Sequence, residues 1–190
     1  MQNQININNH INDITIIGSS KENSIINFDD ISSGIKFDNN VKKIKLINLT
    51  LYGSLQFEGV ASIEIENVIL YGALEAKKRN DEYDDTLKLT DFIFYGKNRI
   101  NDIEACMSLF ISTEIKNSVF YGSLSCSKNI ILFNGDDILT LKIEGSTFDG
   151  DYKVRSINID RAKQCDILNS TFEKGNNAYS FYGGGYILLL

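Results

Sequence analysis

The sequence predicts an all-β protein built as a parallel β-helix, a solenoid in which short strands stack from coil to coil. The first observation is composition: the 190 residues include 28 isoleucines, which favour strands, and 21 asparagines, which favour turns, with no proline or tryptophan. The second is that no segment keeps apolar residues at helical spacing for three turns. The third is an internal repeat, which is typical of solenoids and related arrays.

The repeat follows the pattern apolar-x-apolar-x-Asn-x-x-apolar-Tyr-Gly. Its clearest copies begin at Ile44, Ile63, Leu87, Thr113 and Leu141, and weaker copies begin at Asn9 and Cys165. From Ile44 onward the copies start 19, 24, 26, 28 and 24 residues apart. Such variable spacing suits a parallel β-helix of about seven coils, because the turns can lengthen without disturbing the stacked strands.

Each copy predicts three strands in a coil. The first two apolar positions face inward from one strand, the Asn turns the chain, and the next two apolar positions face inward from a second strand. The glycine turns the chain again, since glycine tolerates positive φ. A third strand should then direct its apolar residues inward: Leu55 and Phe57, Leu74 and Ala76, Leu124 and Cys126, Tyr152 and Val154.

The asparagine position predicts a ladder of side chains that faces the interior. Stacked side-chain amides can hydrogen-bond from one coil to the next, so a structural role outweighs a catalytic one. The ladder comprises Asp13, Asn48, Asn67, Asp91, Asn117 and Asn169, with Gly145 as the exception.

The three cysteines are expected to be buried, reduced thiols of the core. Cys106, Cys126 and Cys165 are widely spaced, form no Cys-x-x-Cys motif, and share the chain with a single histidine, His10. Structural zinc sites need four closely spaced Cys or His ligands, so this pattern argues against one.

The net charge of −6 argues against a nucleic-acid partner, because phosphate binding needs a basic surface. No run approaches the ~18 apolar residues of a membrane span, and the first residues lack a secretory signal. The protein is therefore expected to be intracellular, or its signal lies outside this chain. Residues 1–190 read as one domain or a piece of a longer chain, whose apolar end at residues 186–190 would dock on a neighbouring domain or a second copy.

The first and last parts of the chain resemble known β-helical proteins. Ile14–Gly18, Ser24–Phe28 and Ser33–Phe37 are similar to the first coils of the right-handed parallel β-helix, pectin-lyase-like superfamily. The segment from Asn169 to Ile187 resembles repeats of polymorphic-outer-membrane-type surface proteins, although Gly175 stands where Asn is usual and Gly185-Tyr186 replaces an Ala. The resemblance implies a right-handed, single-stranded solenoid, but this fold serves lyases, hydrolases, esterases and adhesins alike.

An enzyme of this superfamily would be pectate-lyase-like or polygalacturonase-like and would need acid and base residues on one face. The one cluster worth considering comprises Asp149, Asp151, Arg155, Asp160 and Arg161. Three interpretations stay open for it: a catalytic site or its inactive remnant, a calcium site, and solvated surface charge. No other cofactor or metal is indicated.

A tyrosine column is the sharper candidate. Tyr52, Tyr71, Tyr95 and Tyr121 precede the glycine in four consecutive copies, and strand alternation points them outward. At the strand spacing of ~4.8 Å they would form an aromatic strip ~14 Å long. Such a strip suits binding of a polysaccharide or cell-surface glycan, and mutual stacking for stability is the alternative.

The favoured function is therefore a non-catalytic extracellular or cell-surface module with a structural or adhesive role, binding carbohydrate through the tyrosine column. A polysaccharide-active enzyme and an intracellular structural solenoid are the alternatives.

Overall fold

The computed structural model describes residues 4–8, 11–79, 84–176, 180–182 and 186–189, with side chains as far as residue 176. The described residues form nineteen strands and one short 3₁₀ helix, η1 (Leu124–Cys126), which confirms the all-β prediction. In chain order the strands are β1 (Ile5–Ile7), β2 (Asp13–Ile17), β3 (Ile25–Asn27), β4 (Gly34–Phe37), β5 (Lys43–Glu58), β6 (Ser62–Lys77), β7 (Thr86–Thr90), β8 (Ile93–Gly96), β9 (Ala105–Phe110), β10 (Ser112–Lys116), β11 (Val119–Tyr121), β12 (Asn129–Asn134), β13 (Thr140–Glu144), β14 (Thr147–Asp149), β15 (Arg155–Asp160), β16 (Gln164–Leu168), β17 (Thr171–Glu173), β18 (Ser180–Tyr182) and β19 (Tyr186–Leu189).

The strands belong to one curled sheet, and every pairing among the described strands is parallel. The pairings form three rows. Row 1 contains β2, β5, β6, β7, β10, β13, β16 and β19. Row 2 contains β3, β5, β6, β8, β11, β14 and β17. Row 3 contains β1, β4, β5, β6, β9, β12, β15 and β18, and the long strands β5 and β6 take part in all three rows.

The register confirms that equivalent positions of the repeat are direct neighbours. Leu51 pairs with Leu70, and Leu70 pairs with Phe94. The inward column of row 2 continues through Phe120 and Phe148, whose rings stack at 4.7 Å between centroids. These side chains are buried, so the hydrophobic core follows the repeat.

The alignment of the first copy was wrong. Asp13 pairs with Lys43 and Ile14 with Ile44, so Asp13 lies outside the asparagine row, and Gly18 takes the position next to Asn48. The error arose because residues 11–17 also alternate apolar and polar, and alternation alone does not distinguish the strand before the turn from the strand after it.

The third strand of the coil is confirmed in two repeats and only in part in the other two. Leu55, Phe57, Leu74 and Ala76 are buried in row 3 as predicted. In the other two, Cys126 and Val154 are buried as predicted, but Leu124, in η1, is 74% exposed and Tyr152, in a turn, is 73% exposed. Row 3 is occupied there by β12 and β15, because an inserted turn delays the strand and shifts the apolar alternation.

The asparagine row has a backbone role. Its members share left-handed φ angles between 49° and 60°: Asn48, Asn67, Asp91, Asn117, Gly145 and Asn169. Asn and Asp tolerate this conformation better than other non-glycine residues. The Nδ2 of Asn67 donates to the Oδ1 of Asn48 at 2.7 Å, as a ladder requires, but Asp91, Asn117 and Asn169 are exposed, so the inward orientation was wrong.

A serine ladder runs beside this row. The Oγ of Ser118 accepts from the backbone N of Phe92 at 3.2 Å, and the Oγ of Ser146 accepts from the N of Ser118 at 3.1 Å. The Oγ of Ser170 likewise accepts from the N of Ser146 at 3.2 Å. Each hydroxyl thus satisfies a backbone donor of the preceding repeat at the turn between rows 1 and 2.

The glycine position is required for space. A Cβ on Gly72 would lie 1.8 Å from the carbonyl oxygen of Gly53, in the neighbouring repeat. Both glycines lie inside continuous strands, so their role is to let stacked backbones approach closely rather than to form a separate turn as expected.

The outer surface of row 1 carries alternating charges. Lys45 pairs with Glu64, Glu64 with Lys88, and the alternation continues through Glu114, Lys142 and Asp166. The Nζ of Lys45 lies 2.5 Å from a carboxylate oxygen of Glu64. Opposite charges directly across a strand pair favour the observed register, whereas a slip by one repeat would juxtapose like charges.

Two of the three cysteines are joined by a disulfide bond. Cys106, in β9, and Cys126, in η1, have Cα atoms 4.5 Å apart, so the expectation of three reduced thiols was wrong for this pair. The fold brings the two together across 20 residues of chain, a proximity that wide sequence spacing does not reveal. Cys165 is a free, buried thiol in the same column as Ile44 and Ile63, as expected.

Candidate functional site

The tyrosine column (Tyr52, Tyr71, Tyr95 and Tyr121) is an uninterrupted stack on the outer surface of row 2. Ring centroids of successive tyrosines are 4.5, 4.5 and 4.8 Å apart, with interplanar angles of 5°, 3° and 12°. The stack arises because these residues occupy the same register position of β5, β6, β8 and β11 and alternate with buried Leu or Phe neighbours.

The rings of the column cover one another's faces. Tyr52 and Tyr121, at the two ends, are 36% and 37% exposed, and Tyr71 and Tyr95 between them are half-buried. The inner faces are occupied by neighbouring rings, so the surface presents ring edges and hydroxyl groups at intervals of 4.5–4.8 Å. Burial first, and then the neighbouring Tyr95 and Tyr52, raise the pKa of Tyr71 above its usual value.

A β-branched column lies beside the tyrosines. Ile69, Ile93 and Val119 occupy the positions two residues before Tyr71, Tyr95 and Tyr121, pair with one another in register, and are half-buried. Side chains two residues apart on a strand share a face about 7 Å apart. The two columns together form a strip of apolar and phenolic surface, in contrast to the charged surface of row 1. The second column was not predicted from the sequence, although a β-branched residue recurs at this position of the repeat.

The column ends in polar residues. Asn27 pairs with Tyr52 at one end, and Asp149 pairs with Tyr121 at the other. The Nζ of Lys174 donates to Asp149 at 2.6 Å. Burial opposes ionisation of Asp149, but the hydrogen bonds from Lys174 and from the backbone N of Asp151 outweigh it and lower the pKa of this carboxyl group.

The five residues of the predicted acidic and basic cluster are distributed over two ends of one strand. Asp149 and Asp151 precede β15, and Arg155 begins it. Asp160 and Arg161 lie at its other end, about 17 Å away at the rise of an extended strand.

The charged partners of this cluster also separate it. Asp149 pairs with Lys174 and Asp151 with Lys153, whereas Arg161 lines an open groove of ≈ 270 Å³ and contacts Asp136 at 2.8 Å. The structure therefore does not bring Arg161 to Asp149 and Asp151 as one acid–base site.

Within the described part of the chain, no group of three or more His, Cys, Asp or Glu side chains is placed to hold a metal ion. No helix among the described residues is both long enough and apolar enough to cross a membrane. His10 and the side chains of residues 186–190, the predicted docking edge, lie outside the described residues.

Comparison of the chain with protein-family models, with curated proteins and with solved structures finds no match.

Proposed function

We propose that the protein is a non-catalytic structural or adhesive module of the extracellular space or cell surface, which binds carbohydrate through the strip formed by the tyrosine column and the β-branched column. The observation that carries the proposal is the strip itself: stacked phenols at a nearly constant spacing beside a half-buried apolar row on the outer surface. The phenol hydroxyls can hydrogen-bond to sugar hydroxyls, and the β-branched side chains beside them can contact the apolar C–H groups of a sugar.

We further propose that the curled sheet is a right-handed, single-stranded parallel β-helix of about seven coils, related to the pectin-lyase-like proteins. Supporting this, the chain visits rows 1, 2 and 3 in the same order from β2 to β18. Such a scaffold is rigid along its axis, because each strand is hydrogen-bonded to the repeats before and after it. Rigidity suits a module that presents a fixed row of contacts to an extended polymer.

The extracellular assignment draws support from the Cys106–Cys126 disulfide. Disulfides persist mainly in oxidising environments and are rare in reducing ones. The intracellular alternative would leave both thiols reduced, next to each other in the core.

Carbohydrate binding is tested on a glycan array with the double variant Tyr71→Ala/Tyr95→Ala. The variant removes the two central rings and should weaken binding of the recognised glycan at least tenfold, because the strip loses its continuous edge. Tyr152→Ala is the matched control, since Tyr152 is an exposed tyrosine outside the column and its removal should leave binding unchanged.

Thermal unfolding of each variant separates binding from stability. If the wild type binds no glycan, or if the folded double variant binds as well as the wild type, the carbohydrate proposal is wrong. A large drop in melting temperature at unchanged glycan affinity would assign the tyrosines to stability alone.

A further inference from the structure

We infer that the tyrosine column is a site of oxidative cross-linking, in which adjacent phenols of neighbouring repeats couple to dityrosine. This inference does not depend on carbohydrate binding. It rests on the stack of four phenols and on the access that a small oxidant has to it from outside.

The geometry favours coupling between register neighbours. Tyr52 and Tyr71, and Tyr71 and Tyr95, have parallel rings with centroids 4.5 Å apart. The carbons ortho to the hydroxyl, Cε1 and Cε2, therefore lie across the stack from their equivalents on the next ring, and the two rings must turn out of the face-to-face orientation to form a bond between them. The parallel sheet keeps the two residues of each pair adjacent, which raises the effective concentration of one phenol at the other far above that of two tyrosines on separate molecules.

The column is also accessible. The end residues Tyr52 and Tyr121 are each more than one-third exposed, and the central residues Tyr71 and Tyr95 are half-buried. A peroxidase-type oxidant therefore needs no opening of the fold to reach a phenol.

The chemistry requires a one-electron oxidant supplied with a hydroperoxide. Each of two neighbouring phenols loses one electron and one proton and becomes a phenoxyl radical. The radicals pair to form a carbon–carbon bond between their ortho carbons, and the hydrogens on those carbons then move to the oxygens, which restores both aromatic rings. The two electrons and two protons removed reduce one hydrogen peroxide to two waters.

The product would join repeats that are far apart in sequence. The three possible links connect residues separated by 19, 24 and 26 positions. A covalent link of this kind restricts the unfolded chain in the way that a disulfide does. Oxidation would thus staple successive repeats together along row 2.

Two variants with equal numbers of tyrosines test the inference. Tyr71→Phe/Tyr121→Phe leaves Tyr52 and Tyr95, which are separated by a phenylalanine. Tyr52→Phe/Tyr121→Phe leaves Tyr71 and Tyr95, which are adjacent. Both variants keep four stacked rings, so the packing of the column changes little.

Dilute wild-type protein and both variants are treated with a peroxidase and hydrogen peroxide. Dityrosine is followed by fluorescence, and linked peptides are identified by mass spectrometry from the loss of two hydrogens per link. We expect links between register neighbours in the wild type, a Tyr71–Tyr95 link in the adjacent variant, and less than one-tenth of that yield in the column of the alternating variant.

Three results would overturn the inference: no link within the wild-type column, links that mainly involve Tyr152 or join separate chains, or equal column yields in the two variants. Circular dichroism and thermal unfolding verify that the variants are folded. If the alternating variant fails to fold, the single variant Tyr71→Phe replaces it. There Tyr95 and Tyr121 should link while Tyr52 stays unlinked, and a Tyr52–Tyr95 link would contradict the inference.

Discussion

Replacement of Phe120 by alanine is expected to lower the free energy of unfolding by about 3–5 kcal/mol, the usual cost of deleting a buried aromatic ring. Phe120 is fully buried, and its ring centroid lies 4.7 Å from that of Phe148, on which it stacks, and 6.3 Å from that of Phe94. Its removal would leave a cavity between two repeats that their backbone pairing prevents from collapsing. Urea denaturation followed by circular dichroism measures the loss.

Phe120→Leu is the matched control. A leucine retains most of the apolar volume, and we expect a loss below about 1.5 kcal/mol. An alanine variant within about 1 kcal/mol of the wild type would show that the inward column of row 2 is not the close-packed core described above.

Replacement of Asn67 by alanine is expected to cost about 1–2 kcal/mol, because alanine pays for the left-handed backbone that Asn67 adopts at φ 50°. Loss of the hydrogen bond from its Nδ2 to Asn48 should add up to about 1 kcal/mol. The same denaturation experiment measures the change.

Asn67→Gly separates the two contributions. Glycine adopts positive φ without steric cost but cannot form the ladder hydrogen bond. We expect the glycine variant to be more stable than the alanine variant. If it is equally or less stable, the side-chain ladder and not the backbone conformation would determine the choice of asparagine.

The repeat allowed the stacking of the core to be predicted from sequence because alternation and register express the same physical requirement. A residue that faces inward in one repeat must meet an inward residue in the next, so Leu51 and Leu70 were predictable neighbours. The positions of the third strand after Leu124 and after Tyr152 could not be predicted, because they depend on the length and path of the irregular turns that contain these two residues. Apolar residues in such a turn can imitate a strand in sequence.

The candidate site was predictable in the same degree. The outward column of tyrosines followed from the alternation, and its mutual stacking was one of two interpretations left open by the sequence. The contribution of Ile69, Ile93 and Val119 was not predicted. β-Branched residues are common in strands, and the sequence alone does not show which of them reach the surface. The pairing of Cys106 with Cys126 depends on the turn that contains η1, and no local sequence pattern predicts this turn.

The outer surfaces of rows 1 and 2 differ in chemical character. On row 1, lysine and glutamate side chains form ion pairs with one another, so this surface is polar and its opposite charges largely cancel. Row 2 instead presents aromatic rings and β-branched side chains at its surface, and covering them with another surface lowers the free energy. Both proposals, carbohydrate binding and oxidative coupling, therefore concern row 2.

The central claim, that repeats stack one above another in parallel register, is tested most directly by distances between spin labels on row 1. Lys45, Lys142 and Asp166 face outward in one column. One variant carries labelled cysteines in place of Lys45 and Lys142, and a second variant carries them in place of Lys45 and Asp166. Burial raises the pKa of Cys165 to about 12, so this thiol should not compete for the label.

Four strand spacings separate the first pair and five separate the second, which places their Cα atoms about 19 Å and 24 Å apart. Double electron–electron resonance measures the corresponding distances between the spin labels. The decisive quantity is the increase of about 5 Å for one further repeat, because the label linkers affect both pairs alike. Equal distances, or a shorter distance for the second pair, would contradict the stacked register.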